Sequence, residues 1–431
     1  MHRIFLMTRE RNKNTSCLID MGTGDYADIE KFFNKLNEDQ SHFVNSNDES
    51  TPIGCVKEMV DTIPDSFWRK KNLKILDPCA GNGNFHAYIF NKKTKIENLI
   101  FNEINDKRVK NIRKIFGNSA NISLKNFLEF NESEEYDLVV SNPPYAKFNS
   151  KGRTAKNHNL SRDFIRKAIK ITKKNGFILF IVPDNWMSFA DRNDVVEILS
   201  QYQFLHLNIH GAKKWFPKIG SSFSWFLLQK TKNSKPFTVE NFYKVKSTER
   251  VKIDPGVRFI PLYYSPVVKS IIDKTINADN EKYQIETSSD LHKHTKKDLL
   301  SVHKNNIYRY KVIHTPTQVV WSKRPHKYQS GYKVFISLTN QYSTFINRNC
   351  GATQSVAFIR CKSKEEAEQV KGELDSPIYS FLNNVTRYGN FNNIRVLQHF
   401  PKIRSFLLTK KERSFVETFN KEYYKRMSTR K

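Results

Sequence analysis

Lys74-Ile75-Leu76-Asp77-Pro78-Cys79-Ala80-Gly81-Asn82-Gly83-Asn84-Phe85 decides the fold of this chain. A short apolar run ends on an acid, two glycines follow, and a helical pattern opens over His86–Asn91. Glycines let backbone approach a ligand closely, and open α/β sheets bind ligands at the carboxyl ends of their strands. The loop lacks Gly-x-Gly-x-x-Gly, which argues against NAD, and lacks a phosphate-loop lysine, which argues against ATP. Further strand-length runs follow at Asn98–Glu103, Ile122–Leu124, Tyr136–Val140 and Gly176–Val182. Helical patterns over Asp106–Phe116 and Arg162–Lys173 separate some of them. Such alternation predicts a parallel sheet with helices on both faces. Phe204–Ile209 and Ser222–Leu228 lack a long helix between them and read as an antiparallel pair at the sheet edge. Glu103, ending the strand after the glycine loop, can accept hydrogen bonds from both hydroxyls of a ribose. At this point the loop is either a nucleoside-cofactor site or a tight structural turn.

Asn142-Pro143-Pro144-Tyr145 follows the run Tyr136–Val140 directly. Two prolines fix the backbone and remove two N–H donors, leaving carbonyl oxygens as acceptors. The Asn142 side-chain oxygen adds another acceptor and Tyr145 a flat stacking surface. Two acceptors can hold both N–H bonds of an exocyclic amine and turn its lone pair toward an electrophile. Orientation and electrostatics then do most of the work, without a strong general base.

Taken in order, these motifs resemble the gamma group of S-adenosylmethionine-dependent adenine-N6 DNA methyltransferases of restriction-modification systems. The resemblance covers roughly residues 50–230. Thr51-Pro52, with Val56 and Met59-Val60, resembles the leading motif that closes over the cofactor's methionine part. Asp77 to Gly83 resembles the cofactor loop, which implies that Asp77, Ala80, Gly81 and Gly83 line that part. Glu103 falls at the ribose-binding acid. Asn126-Phe127-Leu128 falls where the family has Asp-Phe or Asp-Leu against the cofactor adenine; Asn126 keeps an acceptor and loses the charge. Asn142, Pro143, Pro144 and Tyr145 resemble the catalytic motif, with Asn142 also beside the cofactor. Val182-Pro183-Asp184-Asn185-Trp186 resembles the end of the fifth strand. Trp215-Phe216-Pro217 resembles the segment whose aromatic residue stacks on a flipped base opposite Tyr145. Phe216 either does this or packs in the core.

The resemblance implies a Rossmann-like, seven-stranded methyltransferase sheet, mostly parallel with an antiparallel edge strand, followed by a mixed α+β target-recognition domain. The domains are expected at 1–50 (an N-terminal extension with one helix near Tyr26–Leu36 and a turn-rich end at Asn45–Ser50), 51–235 and 236–431. Lys230–Pro236 reads as a linker or a surface loop. The last domain should carry strands at Tyr332–Ser337 and Ser355–Ile359 and helices at Ser363–Leu374, Ile378–Asn384 and Lys410–Arg426.

Charge points the same way. The 431 residues carry 72 Lys plus Arg against 43 Asp plus Glu, a net of +29, which attracts polyanions. Residues 301–350 hold eight basic residues and no acid, interleaved with Tyr308, Tyr310, Trp321, Tyr328 and Tyr332. A genome rich in Lys codons would not delete acids from one window. Lys323, Arg324 and Lys327 are the candidate phosphate contacts. Cys17, Cys55, Cys79, Cys350 and Cys361 are scattered and form no Cys-x-x-Cys pair, so no disulfide framework and no metal site is expected. No run of about 18 apolar residues predicts a membrane span. Met1–Met7 is too short an apolar run for a signal peptide, so a cytoplasmic, DNA-associated monomer is the expectation.

The expected reaction is methyl transfer from S-adenosyl-L-methionine to N6 of a flipped adenine in double-stranded DNA. A companion restriction endonuclease is the partner such a setting suggests; the first 50 residues are too few for a nuclease domain. Asn142 favours adenine over cytosine N4, where Ser or Thr is usual. The alternatives are an RNA-base or protein-glutamine methyltransferase with the same tetrapeptide, and a non-catalytic DNA-binding relative.

Overall fold

In the computed structural model the described residues are 4–6, 17–19, 26–38, 49–90, 94–148, 154–189, 193–339 and 341–428. Most of the turn-rich stretch at Asn45–Ser50, and the last residue of the expected helix His86–Asn91, lie outside them. The chain forms two compact units. One comprises residues 1–186, 194–241 and 250–257; the other comprises 187–193, 242–249 and 258–431.

The first unit is built on a sheet whose strands in chain order are β1 (Ile75–Asp77), β2 (Leu99–Asn102), β3 (Asn121–Ser123), β4 (Tyr136–Ser141), β5 (Thr172–Pro183), β6 (Tyr202–Ile209), β7 (Phe223–Lys232), β8 (Phe237–Asn241) and β9 (Ser247–Val251); of β9, only Arg250 and Val251 fall within that unit's bounds. Across the sheet the order is β9-β8-β6-β7-β5-β4-β1-β2-β3. Strands β3 to β5 run parallel through β2, β1 and β4, and β7 is antiparallel to both β5 and β6. Ile75, Leu76, Leu138, Val139, Val140 and Ile178 to Val182 are all buried, the continuous apolar pattern of strands covered on both faces.

Several expectations need correction. The seven expected strands are present, but the sheet continues to nine. Nor does the β6/β7 pair close its edge, because β8 pairs parallel with β6 from His206↔Thr238 to Ile209↔Asn241. The cause is legible in the burial of β8: Phe237, Val239 and Asn241 alternate inward while Thr238 and Glu240 are half-buried. A run starting at Phe237 therefore belongs to this sheet rather than to the C-terminal domain. Of the stretch expected as a linker or surface loop, Lys230–Lys232 belong to β7, and residues 233–236 form a short loop leading to β8 of the same sheet.

The helices explain the loop geometry. Helix α1 (Tyr26–Glu38) buries Ile29 and Phe33 in the same core as α2 (Ile53–Val60) and α3 (Asn84–Phe90), so this part of the expected extension is integral to the first unit. Helix α4 (Asp106–Phe116) starts on Asn105, whose side chain accepts the Lys107 N–H, and stops at Gly117 with φ 85°. Helix α5 (Leu160–Ile171) buries Phe164, Ile165, Ala168 and Ile169.

The second unit contains a four-stranded sheet and a three-stranded sheet. The first has the order β10-β12-β11-β15, from Leu300–Ser301, Gln318–Ser322, Tyr310–Thr315 and Gly351–Ala352. The second has β13 (Tyr332–Ser337) between β14 (Thr344–Arg348) and β16 (Val356–Cys361), antiparallel to both. Further helices include Lys364–Leu374, capped by Ser363, then Pro377–Val385 and Lys410–Ser428. Among the described residues no helix is long and apolar enough to cross a membrane.

Candidate functional site

The strand order reverses between β1 and β4, and that is where an open α/β sheet leaves a crevice at its carboxyl edge. Three neighbouring strands end there on the chemistry-bearing residues: β1 on Asp77, β2 just before Glu103, and β4 just before Asn142.

The glycine loop is held by its own backbone and by Glu103. Ala80 N donates to the Asn102 carbonyl at 2.9 Å, Gly83 N to the Ala80 carbonyl at 2.7 Å, and Gly81 N to Glu103 Oε2 at 2.9 Å. Gly81 and Gly83 have φ of +57° and +89°, a region where side chains are strained. A Cβ on Gly81 would meet nothing within 4 Å; one on Gly83 would lie 2.5 Å from the Phe116 ring. The first glycine therefore borders open space, and the second lets α4 pack under the loop.

Glu103 is 5% exposed, accepts the Asn105 N–H on Oε1 at 2.9 Å and has Arg108 3.8 Å from Oε2. Asp77 is buried, with Oδ1 accepting from Cys79 N at 3.1 Å and Ser141 Oγ at 3.5 Å. Burial, reinforced by the Glu103 charge, pushes its carboxyl up to about 8 against those two hydrogen bonds. Among the described residues no cation sits within ion-pair distance of it. A buried acid with no cation within ion-pair distance, a second buried acid after the neighbouring strand and a glycine bordering open space make a set that would fit S-adenosylmethionine, with its ammonium at Asp77 and its ribose at Glu103.

Asn142 and Tyr145 face each other across the Pro-Pro turn. The Tyr145 hydroxyl donates to Asn142 Oδ1, and Asn142 Nδ2 donates to the Glu49 carbonyl at 3.3 Å. Pro143 is buried and Pro144 exposed. The Tyr145 ring packs 5.5 Å from Phe223, centroid to centroid, and burial raises its phenol well above the usual value.

Other expected residues are placed differently. Thr51 is buried, and its carbonyl accepts from Asn84 Nδ2 at 2.8 Å, tying the segment before α2 to the start of α3. Asn126 is exposed and spends its side chain on capping a short turn: Oδ1 accepts the Leu128 N–H, and Nδ2 donates to Glu129. The Phe127 ring is buried between Phe130 and Phe164, so it is a core ring rather than a cofactor wall. Phe216 is 4% exposed against Phe223, and this packing leaves it no face for a base. The reason lies next door. The Trp215 indole donates to Glu58 at 3.0 Å and fills the space over Gly54, which turns Phe216 inward.

Some residues escaped the sequence reading. Ile104 and Leu124, 71% and 55% exposed, follow β2 and β3 at the same edge. Apolar residues at the ends of two short strands were the available signal. Asn82, 1% exposed, donates to Asn37 of α1 at 3.3 Å and accepts from Asn111 of α4 at 3.1 Å. Its role depends on partners 45 and 29 positions away, which no local pattern reveals.

In the second unit, Lys323 and Lys327 are exposed, with ammonium groups 5.2 Å from the Tyr308 ring centroid and 4.6 Å from that of Tyr328. Arg324 differs: its guanidinium is engaged by Asp290 at 2.7 Å. That pairing holds the Asp290 carboxyl down at about 2. Arg324 is therefore a loop clamp first. No group of His, Cys, Asp and Glu among the described residues could hold a metal ion.

Residues 26–216 match the family model of the Eco57I restriction-modification methylases. That stretch contains the glycine loop, Glu103 and the tetrapeptide. Two solved structures share the fold over most of the chain. One is a nuclease-deletion mutant of the Type ISP restriction-modification enzyme LlaGI in complex with a DNA substrate mimic (TM-score 0.53, 13% identity, 91% of this chain, 48% of that one). The other is the ATP-dependent Type ISP enzyme LlaBIII bound to DNA (TM-score 0.51, 13% identity, 90% of this chain, 40% of that one). A Listeria monocytogenes chain assigned to the class I S-adenosylmethionine-dependent methyltransferases matches at TM-score 0.41 and 17% identity, over 52% of this chain and 75% of that one. The chain thus spans less than half the length of the two Type ISP enzymes. Among curated proteins none matches in sequence. The fold is a methyltransferase-like α/β sheet with an additional domain.

Proposed function

We propose that the chain methylates N6 of adenine in double-stranded DNA from S-adenosylmethionine, in a restriction-modification setting. What carries this reading is Asn142–Tyr145 leaving β4 beside Asp77 at the switch point, with Ser141 in contact with the Asp77 carboxylate.

S-adenosylmethionine supplies an electrophilic methyl group when bound. Asp77 would hold its ammonium group and Glu103 its ribose hydroxyls, and the exposed Ile104 and Leu124 would give its adenine apolar cover. The target amine is paired inside the duplex, so its base must leave the stack. Asn142 Oδ1 and the Pro143 carbonyl then accept its two N–H bonds, which turns the nitrogen lone pair away from the ring. Both acceptors are neutral, so the site orients the amine and leaves its proton to water. Tyr145 holds the base in plane. Its hydroxyl must release Asn142 Oδ1 to admit the amine. The second unit supplies phosphate contacts through Lys323 and Lys327, and a companion restriction endonuclease completes the setting.

The test is transfer of labelled methyl to duplex DNA with base analysis of the product. Label in N6-methyladenine is the expected result. Label in cytosine, RNA or protein glutamine would overturn the substrate, and an Asn142→Ala chain as fast as the parent would overturn the mechanism.

A further inference from the structure

The stretch between β6 and β7 is pinned at three places. His210 Nδ1 lies 2.9 Å from Oδ2 of Asp184, just past β5. The Lys213 ammonium donates to the carbonyls of Phe216 at 3.3 Å, Ser221 at 3.2 Å and Ile219. The Trp215 indole donates to Glu58 of α2 at 3.0 Å, and the Lys214 ammonium pairs with the same carboxylate. Loops are commonly the mobile parts of a fold, so three polar anchors on one loop call for a reason.

The reason is a row of rings. Gly54, inside α2, has no side chain, and a Cβ there would lie 2.2 Å from the Trp215 indole. A glycine inside a helix lowers its stability, and here its bareness is what admits the indole. The next residue, Phe216, packs 4.9 Å from Phe223, centroid to centroid, at 40°. Phe223 packs 5.5 Å from Tyr145 at 48°. Tilted rings at these separations attract one another, so each fixes the next. The strip of chain that leads into α2 also reaches the rest of the site. The Glu49 carbonyl accepts from Asn142 Nδ2, and the Thr51 carbonyl accepts from Asn84 Nδ2 beside the glycine loop. The Tyr145 ring is thus backed by a row that ends on the segment bonded to Asn142.

We propose that Trp215 is a positioning residue for the target base: anchored on α2, it acts through Phe216 and Phe223 to hold the Tyr145 ring at the tilt that receives the base. The proposal rests on the base-methylation reading above. Phe216 then takes part as a prop behind Tyr145 rather than as a second wall of the pocket. Truncating the indole opens space over Gly54, lets Phe216 and Phe223 move toward it, and releases the tilt of Tyr145. A misplacement of about 1 Å costs up to about a hundredfold in rate.

The test is single-turnover methyl transfer by the full chain from labelled cofactor to duplex DNA carrying the methylation site. Trp215→Ala should slow transfer about tenfold or more, with cofactor affinity by calorimetry within about twofold of the parent. Trp215→Phe, which keeps a ring over Gly54, should recover most of the rate. Phe223→Leu, which keeps most of the buried apolar volume, should slow transfer in the same way and serves where Trp215→Ala fails to fold. The deciding readout is coupling to Tyr145. In a Tyr145→Ala chain, adding Trp215→Ala or Phe223→Leu should cost less than about twofold more, because residues acting through one another are not additive. A full, additive loss in that background, or a fall in cofactor affinity that matches the loss of rate, makes the tryptophan structural only and overturns the proposal. So does a Trp215→Ala chain as fast as a parent that methylates DNA, which leaves the function standing. A parent that transfers no methyl to DNA overturns both.

Discussion

In the proposed site Glu103 serves two purposes at once. Its Oε2 accepts the Gly81 N–H and its Oε1 the Asn105 N–H, so the carboxylate assigned to the ribose also anchors the glycine loop. Glu103→Ala should therefore weaken cofactor binding beyond the loss of two ribose bonds, because the glycine loop loses its anchor as well. Bonds to a charged acceptor contribute about 1.5–3 kcal/mol each. Calorimetry on Glu103→Ala and Glu103→Gln tests this, with Gln expected to fall between parent and Ala; unchanged affinity in Ala would remove Glu103 from the site. Tyr145 carries the second residue-level expectation. Its hydroxyl donates to Asn142 Oδ1, the acceptor that the proposed reaction assigns to the amine, and its ring is the proposed stacking face. Tyr145→Phe should keep kcat within a few-fold and leave KM for DNA equal or lower, and Tyr145→Ala should lose most turnover. A Tyr145→Phe chain as slow as Tyr145→Ala would mean that the hydroxyl, not the ring, is required.

At the scale of elements, the turn after β1 depends on the helix beneath it. Gly83→Ala would place a methyl group 2.5 Å from the Phe116 ring at a φ of +89°. The left-handed backbone alone costs about 1–2 kcal/mol. The expected outcome is a lower melting temperature and weaker cofactor binding. Adding Phe116→Leu should recover only the steric part, and full recovery would show that backbone strain is absent. The Asp290–Arg324 clamp is the counterpart in the second unit. Asp290 lies below its ordinary value of 3.8, at about 2, because Arg324 and the Lys327 N–H favour its charged form. Its contribution to stability is thus present above pH 3.8 and lost as pH falls toward 2. Arg324 is 43% exposed, so solvent screening keeps the effect small. Asp290→Asn should lower the denaturant midpoint at pH 5, with the gap to the parent closing near pH 2.5; a constant gap would refute the linkage. Elements of this kind were unevenly legible. The glycine loop, Glu103 and the tetrapeptide are contiguous motifs at strand ends, where local spacing carries the chemistry. The roles of α1, Asn82 and β8 arise from partners distant in sequence, and an inward-turned Phe216 depends on the Trp215–Glu58 contact, which no spacing encodes.

For the molecule as a whole, a net charge of +29 makes polyanion binding strongly dependent on salt, and the useful question is which cations neutralise phosphates and so release their counterions. Residues 251–431 carry 32 basic and 15 acidic residues, against 40 and 28 in the first 250, so the excess per residue is about double in the second half. Within it, the trio at 323–327 is not uniform. Lys323 and Lys327 are exposed and lie over tyrosine rings, an arrangement that still leaves ammonium N–H bonds for phosphate. Arg324 is already neutralised by Asp290. Each lost phosphate contact lowers the slope of log affinity against log salt by about 0.9 for duplex DNA. Lys323→Ala with Lys327→Ala should therefore flatten the slope by about 1.8 and weaken binding across all sequences alike. Arg324→Ala should leave the slope near the parent's and instead lower thermal stability. Titrations of a target and a scrambled duplex at several salt concentrations separate these outcomes. A slope that moves with Arg324 and not with the two lysines would mean that the Asp290 pair opens on DNA and that the phosphate face lies on the arginine.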